Sequence, residues 1–264
     1  MPELPEISIL ARQLQQEIVG RTIAGLEVLQ PKSLNVPPED LPLSGTEILT
    51  VQSHGKWVQI QTTAGWLLVG LGMGGEILLT DRSHLPEKYR LIVDFEDGEC
   101  LAINFWWFGY FHYVTDLADH PMTASLGPDF MTLSLEDFRE ILRGRRGGIK
   151  AFLLNQKHVA GIGNVYVQDP LFNAGIHPLR TINTLSDNEI QVLWQALRGT
   201  LQESIEHGGS HWEQNLYGEH GRWDNSFFQA AYREGQPCPN CGTTIEKIKT
   251  GSTSTYICPA CQPL

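Results

Sequence analysis

The chain has 264 residues, enough for one large domain or two ordinary ones. Its composition, 41% hydrophobic and 19% charged, excludes a disordered protein, and no apolar run approaches the length of about 18 that a membrane helix needs. The net charge of −11 argues against a nucleic-acid partner, although binding depends on where the positive residues lie rather than on their sum.

The start, Met-Pro-Glu-Leu-Pro-Glu, has neither the basic region nor the apolar region of a signal peptide, which predicts a cytosolic protein. Pro5 suits the first turn of a helix whose apolar stripe is Ile7, Leu10, Leu14 and Ile18, with Gly20 ending it. From about Thr22 to Val114 the pattern changes to short runs between turns: 23–28, 57–61, 66–69, 77–79, 90–95 and 101–104. These predict the strands of a sandwich or barrel. The apolar stretch Trp66 to Met73 is broken by glycine and reads as a strand entering a turn, while Cys100 reads as a buried strand thiol.

Residues 116–128 have the Asp, Pro, Thr, Ser and Gly of a linker. Helices are predicted after Ser134, over 149–154 and 165–172, and from Leu185 to about His207. A glycine- and aromatic-rich stretch then runs to Gln236. Arg143, Arg145, Arg146 and Lys150 form a local basic cluster that reads either as a phosphate-facing patch or as an exposed loop.

Four of the five cysteines fall in the pattern C-x2-C-x16-C-x2-C: Cys238, Cys241, Cys258 and Cys261. Each pair turns tightly enough to aim two thiolates at one metal, and four thiolates close a structural zinc site. Two disulfides are the alternative, disfavoured without a secretion signal. The β-branched residues between the pairs flank Gly251-Ser252, a β-hairpin pattern.

The extreme N-terminus is chemically the most unusual segment. Removal of Met1, which a small second residue permits, would leave Pro2 as a secondary amine. With an α-amine pKa of about 7.7–8.0, a fraction on the order of a tenth is neutral at pH 7. Such an amine can attack an electrophilic sugar carbon. Glu3 and Glu6, three apart, can share one side of the first helical turn and divide acid and base work, or can simply complement the helix dipole. Farther on, Gly161-Ile162-Gly163-Asn164, preceded by Lys157, is either a phosphate-binding turn or a plain connection between helices.

The combination is more specific than any part. Pro2-Glu3-Leu4-Pro5-Glu6, Gly55-Lys56, Leu71-Gly72-Met73, the long run from Ile149 to Tyr166, its continuation Leu171 to Pro178 and the cysteine hairpin occur in one order. Together they resemble the formamidopyrimidine-DNA glycosylase and endonuclease VIII (Fpg/Nei) family, over essentially the whole chain.

The resemblance implies an α+β fold: an N-terminal β-sandwich with an N-terminal helix, a helical domain of the helix–two-turn–helix (H2TH) type and a zinc-bound hairpin. The expected domains are 1–120 (catalytic), 121–236 (H2TH) and 237–264 (zinc finger). It also implies a base-excision-repair glycosylase with AP (abasic-site) lyase activity, acting on damaged or abasic DNA as a monomer without a membrane. One structural zinc is the implied cofactor.

By position, Pro2 matches the nucleophile that attacks C1′ and forms the Schiff base for β,δ-elimination. Glu3 matches the acid that protonates the sugar, and Glu6 a second carboxylate. Lys56 matches the lysine on the lesion's phosphate and sugar, and Asn164 a phosphate ligand. Lys157 stands beside that turn as a further DNA-binding candidate. Met73 matches the side chain that fills the space left by the extruded nucleotide. Phe108 is a candidate in the same role, core packing being the alternative for both.

Two departures stand out. Where the family commonly has Arg-Arg-Phe-Gly, this chain reads Trp106-Trp107-Phe108-Gly109, and the arginine usual at the hairpin tip falls at about Thr253. Both remove charge-assisted phosphate contacts. They leave open a DNA-binding relative, acting as a lesion sensor with weak or no catalysis, beside the active enzyme.

Overall fold

In the computed structural model, which describes residues 1–264, the chain divides into two compact units. The first comprises Met1–Ser125 and His207–Arg222, the second Leu126–Glu206 and Trp223–Leu264.

The first unit opens with helix α1 (Leu4–Glu17), with Pro5 in its first turn. Its stripe Ile7, Leu10 and Leu14, continued by Ile18, is buried as the helical period requires. Eight strands follow: β1 (Ile23–Val28), β2 (Ile48–His54), β3 (Trp57–Thr62), β4 (Gly65–Gly70), β5 (Glu76–Asp81), β6 (Leu91–Phe95), β7 (Glu99–Asn104) and β8 (Tyr110–Val114). They form two four-stranded antiparallel sheets, in the orders β1-β6-β7-β5 and β2-β3-β4-β8. One core joins both sheets to α1, with Val58, Ile60, Leu67 and Val69 from one sheet and Leu91, Val93, Leu101 and Ile103 from the other. The α+β class with an N-terminal sandwich is therefore as expected, and Cys100 is buried in β7.

Sequence patterning missed β2 and β8 for a physical reason. They are the two edge strands of their sheet, and each buries few side chains fully, Phe111 alone in β8. An edge strand with one half-exposed face leaves a weak alternation.

The segment His207–Arg222, which the sequence reading attaches to the helical region, clusters with the first unit. Leu216 enters the sandwich core. Its backbone carbonyl accepts from the Leu79 N–H at 2.9 Å, and its N–H donates to the Gln13 side chain at 3.1 Å.

The second unit contains α2 (Leu135–Leu142), α3 (Ile149–Leu154), α4 (Gln168–Asn173) and α5 (Asp187–Glu206), then the hairpin β9 (Glu246–Thr250) and β10 (Thr253–Ile257). Ser134 caps α2 in a reciprocal box with Asp137. Asp169, buried in α4, accepts the N–H groups of Gln229, Ala230 and Ala231 at 3.1, 2.8 and 2.9 Å. Burial pushes its carboxyl upward, opposed by those bonds. No helix is long and apolar enough to cross a membrane.

Candidate active site and zinc centre

The head of α1 gathers three carboxylates and the chain's own amine. Glu6 is almost fully buried, and both its oxygens are engaged: Oε2 accepts from the Glu3 N–H at 2.8 Å and Oε1 from the Ser210 N–H at 2.9 Å. Glu3 and Pro2 are buried beside it. The terminal ammonium, here on Met1, lies 2.9 Å from Oε1 of Glu213. Burial raises the Glu213 carboxyl above the usual range, with Glu3 and Glu76 adding to the rise and the amine opposing it. Glu213 was invisible to sequence reasoning, since no motif marks it and it is some two hundred residues from the amine it meets.

Lys56 sits half-buried in the tight β2–β3 turn, after Gly55, whose φ of +58° is the left-handed conformation that glycine adopts without cost. Met73 and Phe108 come together on the surface. Met73 follows β4, and its N–H bonds to the Trp107 carbonyl at 3.0 Å. Met73, Trp106, Trp107 and Phe108 are exposed by 45, 60, 63 and 67%, so core packing does not explain them. Beneath Trp106 lies a recess of about 480 Å³ lined also by Glu76, Lys88 and Asn104.

The second unit places Asn164 and Lys157 on one glycine turn, with Lys157 exposed. Gln156 spans that turn, accepting the Gly161 N–H at 2.9 Å and donating to the Ile162 carbonyl at 2.8 Å. The Gly161 N–H therefore already has a protein acceptor.

Lys150 is not the exposed lysine of a basic loop; it is 1% exposed. Its ammonium donates to Asn164 Oδ1 at 2.8 Å and to the hydroxyls of Thr250, Thr253 and Thr255 at 3.1, 3.1 and 2.5 Å. These acceptors are neutral, so they satisfy the cation's hydrogen bonds without cancelling its charge. Thr253, at the tip where an arginine is usual, thus turns into the protein rather than away from it. Of the other basic residues in the run, Arg143 pairs with Glu140 at 2.8 Å and Arg145 lies over the Phe152 ring.

The four hairpin cysteines converge, with their sulfur atoms all within 4.8 Å of one another. Individual Sγ···Sγ separations are 3.8 Å (Cys238–Cys261), 3.4 Å (Cys241–Cys258) and 3.5 Å (Cys261–Cys241). A tetrahedron with metal–sulfur bonds of about 2.3 Å has edges of roughly 3.8 Å, so the donor set fits one structural zinc. Hydrogen bonds, chiefly from Thr243, lower the Cys241 thiol to about 6, while burial raises Cys258 and Cys261. The ion's charge favours the thiolate at all four.

Comparison with known proteins agrees with this geometry from end to end. Residues 1–104 match the formamidopyrimidine-DNA glycosylase N-terminal domain, 125–215 the H2TH domain and 235–264 the zinc finger found in FPG and IleRS. A formamidopyrimidine-DNA glycosylase of Chloroflexus aggregans is 36% identical over 277 residues, covering 100% of this chain and 99% of that one. One from Pelobacter propionicus is 36% identical over 271 residues, covering 99% and 100%. Among solved structures, Lactococcus lactis Fpg in complex with DNA containing an abasic site has a TM-score of 0.89 at 30% identity, covering 99% of this chain and 100% of that one. A single-residue mutant of that Lactococcus lactis protein, in complex with Fapy-dG DNA, has a TM-score of 0.90 at 30% identity, covering 100% of both chains. The chain belongs to the formamidopyrimidine-DNA glycosylase family.

Proposed function

We propose that this protein is a bifunctional DNA glycosylase and AP lyase of base-excision repair that works through the Pro2 amine, acting on chromosomal DNA in the bacterial cytosol. The observation that carries the assignment of residues is Pro2 buried beside Glu3 and Glu6 at the head of α1, with the Met1 ammonium that precedes it 2.9 Å from Glu213. Relatives that share the whole chain bind abasic-site and Fapy-dG DNA, and damaged or abasic DNA is the substrate class here.

With Met1 removed, the Pro2 nitrogen attacks C1′ of the extruded nucleotide and displaces the base. Glu3 protonates the sugar oxygen as its ring opens, leaving an iminium between Pro2 and the sugar. That cation is an electron sink, so loss of the neighbouring proton expels the 3′ phosphate and a second elimination expels the 5′ phosphate. Extrusion is required because C1′ cannot be approached in the stack, at a cost of roughly a few kcal/mol.

Lys56 holds the lesion's phosphate and sugar, Met73 and Phe108 fill the gap, and Lys157 and Asn164 bind the backbone. With Asn164 Oδ1 engaged by Lys150, the amide offers its Nδ2 donors, the polarity a phosphate needs. In this reading residues 1–120, joined by His207–Arg222, make up the catalytic domain, the rest of 121–236 the H2TH domain and 237–264 the zinc finger.

Borohydride reduction on abasic-site DNA tests the proposal. The protein with Met1 removed traps a covalent adduct, and Pro2→Gly, which exchanges the secondary amine for a primary one on an unconstrained residue, reduces trapping strongly. Absence of an adduct from correctly processed protein refutes it.

A further inference from the structure

We infer that Glu213 accepts the proton that the N-terminal ammonium must lose before it can attack, so that the His207–Arg222 segment supplies a residue to the reaction. This rests on the Pro2 reading above and names the proton acceptor it lacks.

An ammonium has no lone pair, and at neutral pH most of the amine is protonated. Glu6 is a poor acceptor, because both its oxygens already receive backbone N–H bonds. Glu3 has the sugar oxygen as its task. Glu213 is the carboxylate that meets the Met1 ammonium, one residue before Pro2, at 2.9 Å, with its side chain only 15% exposed. The titratable groups facing it are that amine, Glu3 from α1 and Glu76 from β5. Its burial and these two carboxylates favour its protonated form, which is the direction a proton acceptor requires.

The segment is built to hold Glu213 there. Ser210 is fastened to Glu6 through its N–H, and the Glu213 N–H bonds back to the Ser210 carbonyl at 3.1 Å. Gly209 has φ +88°, and a Cβ on it would lie 3.2 Å from Glu6 Cγ. A Cβ on Gly221 would fall 2.0 Å from the Gly209 carbonyl oxygen. Removing Met1 moves the amine by one residue, about 3.8 Å along the chain, to Pro2, which is buried next to Glu3.

The proton balance closes on an abasic-site aldehyde. Glu213 takes one proton from the Pro2 ammonium, leaving the electron pair on nitrogen. The amine adds to C1′, and its remaining N–H proton passes to the former carbonyl oxygen, giving a carbinolamine. Glu213 returns its proton as the C1′–O bond breaks. Water leaves, the iminium forms and the carboxylate is regenerated.

The test is single-turnover borohydride trapping on abasic-site DNA from about pH 5 to 9, with Met1 removal verified by intact mass. Glu213→Gln should lower the plateau rate about a hundredfold or more, the lower end of what a general base supplies, with part of the loss restored by added imidazole or acetate and by Glu213→Asp. Thermal melting and duplex affinity of the variants should match wild type. If Glu213 only holds the terminus electrostatically, its neutralisation lowers the amine pKa. The acid limb then moves to lower pH with no loss of plateau and no rescue, which overturns the inference. An adduct in wild type with unchanged Glu213→Gln kinetics defeats this inference alone; no adduct in wild type defeats the Pro2 reading and this one with it.

Discussion

Met73 donates its backbone N–H to the carbonyl oxygen of Trp107 at 3.0 Å, joining the turn after β4 to the loop between β7 and β8. The approach depends on Gly72, which has φ +63° and whose Cβ, were there one, would lie 2.0 Å from that same oxygen. Phe108 is held at φ +58° in the same loop, a conformation that costs a non-glycine residue on the order of 1–3 kcal/mol. A thioether, two indoles and a phenyl ring are thereby presented together on the surface.

Aromatic faces in place of two guanidiniums should bind unpaired bases rather than phosphates. Trp106→Ala/Trp107→Ala is expected to weaken binding to abasic or single-stranded DNA by about 1–3 kcal/mol per stacked base, with little change in the salt dependence of binding. Fluorescence anisotropy across a salt series measures both. Undiminished single-strand affinity would remove the stacking role.

Lys150 offers a stability test with a functional echo. Lys150→Met removes the ammonium and takes a donor from Asn164 Oδ1 and from the threonine cluster, where Thr250 and Thr255 bond to each other and Thr255 is fully buried. An unmet buried polar group costs about 1–3 kcal/mol, so the unfolding free energy should fall by roughly 2–3 kcal/mol. Duplex affinity should fall as well, because the Asn164 amide is no longer held in one orientation. Urea titration and DNA binding by the folded variant separate the two effects.

Acid stability should depend on a histidine pair. His112 Nδ1 lies 2.8 Å from His120 Nε2, and His120 bonds to Thr123 at 2.9 Å. Burial, then repulsion from His120, lowers the His112 pKa to about 4; burial also lowers His120. In the unfolded chain these rings titrate near 6.5. Between those values the unfolded state binds protons that the native state refuses, so stability is complete above about pH 6.5 and falls as the pH drops toward 4. The expected loss is on the order of 2 kcal/mol. His112→Gln/His120→Gln should flatten the urea midpoint between pH 7 and pH 5, where wild type declines.

Local chemistry made much of this legible in the sequence. The spacing of Cys238, Cys241, Cys258 and Cys261 predicted the metal site, because a chelating turn must be written in consecutive residues. The stripe Ile7, Leu10 and Leu14 predicted α1 for the same reason. The partners of Glu213 and Lys150 were not legible. Glu213 meets an amine at the far end of the chain, and Lys150 meets Thr255 across 105 positions. Such pairs follow from the topology, and a charged or hydroxyl side chain gives no periodic signature of where it will be buried. Lys150 even lay inside an apparent basic run, where sequence proximity to Arg143, Arg145 and Arg146 concealed a different environment.

The lysine cage has a consequence for the metal. Three threonine hydroxyls and the Ser254 carbonyl around Lys150 belong to the zinc hairpin, and a further acceptor is the Asn164 side chain. Zinc binding would order the hairpin, the hairpin holds the lysine, and the lysine fixes the amide of Asn164, the proposed phosphate ligand. On that proposal the ion would act on DNA affinity across a chain of donors without touching the nucleic acid. Linkage is reciprocal: a phosphate bound at Asn164 must hold the zinc more tightly, so DNA-bound protein should resist chelators that strip the free protein.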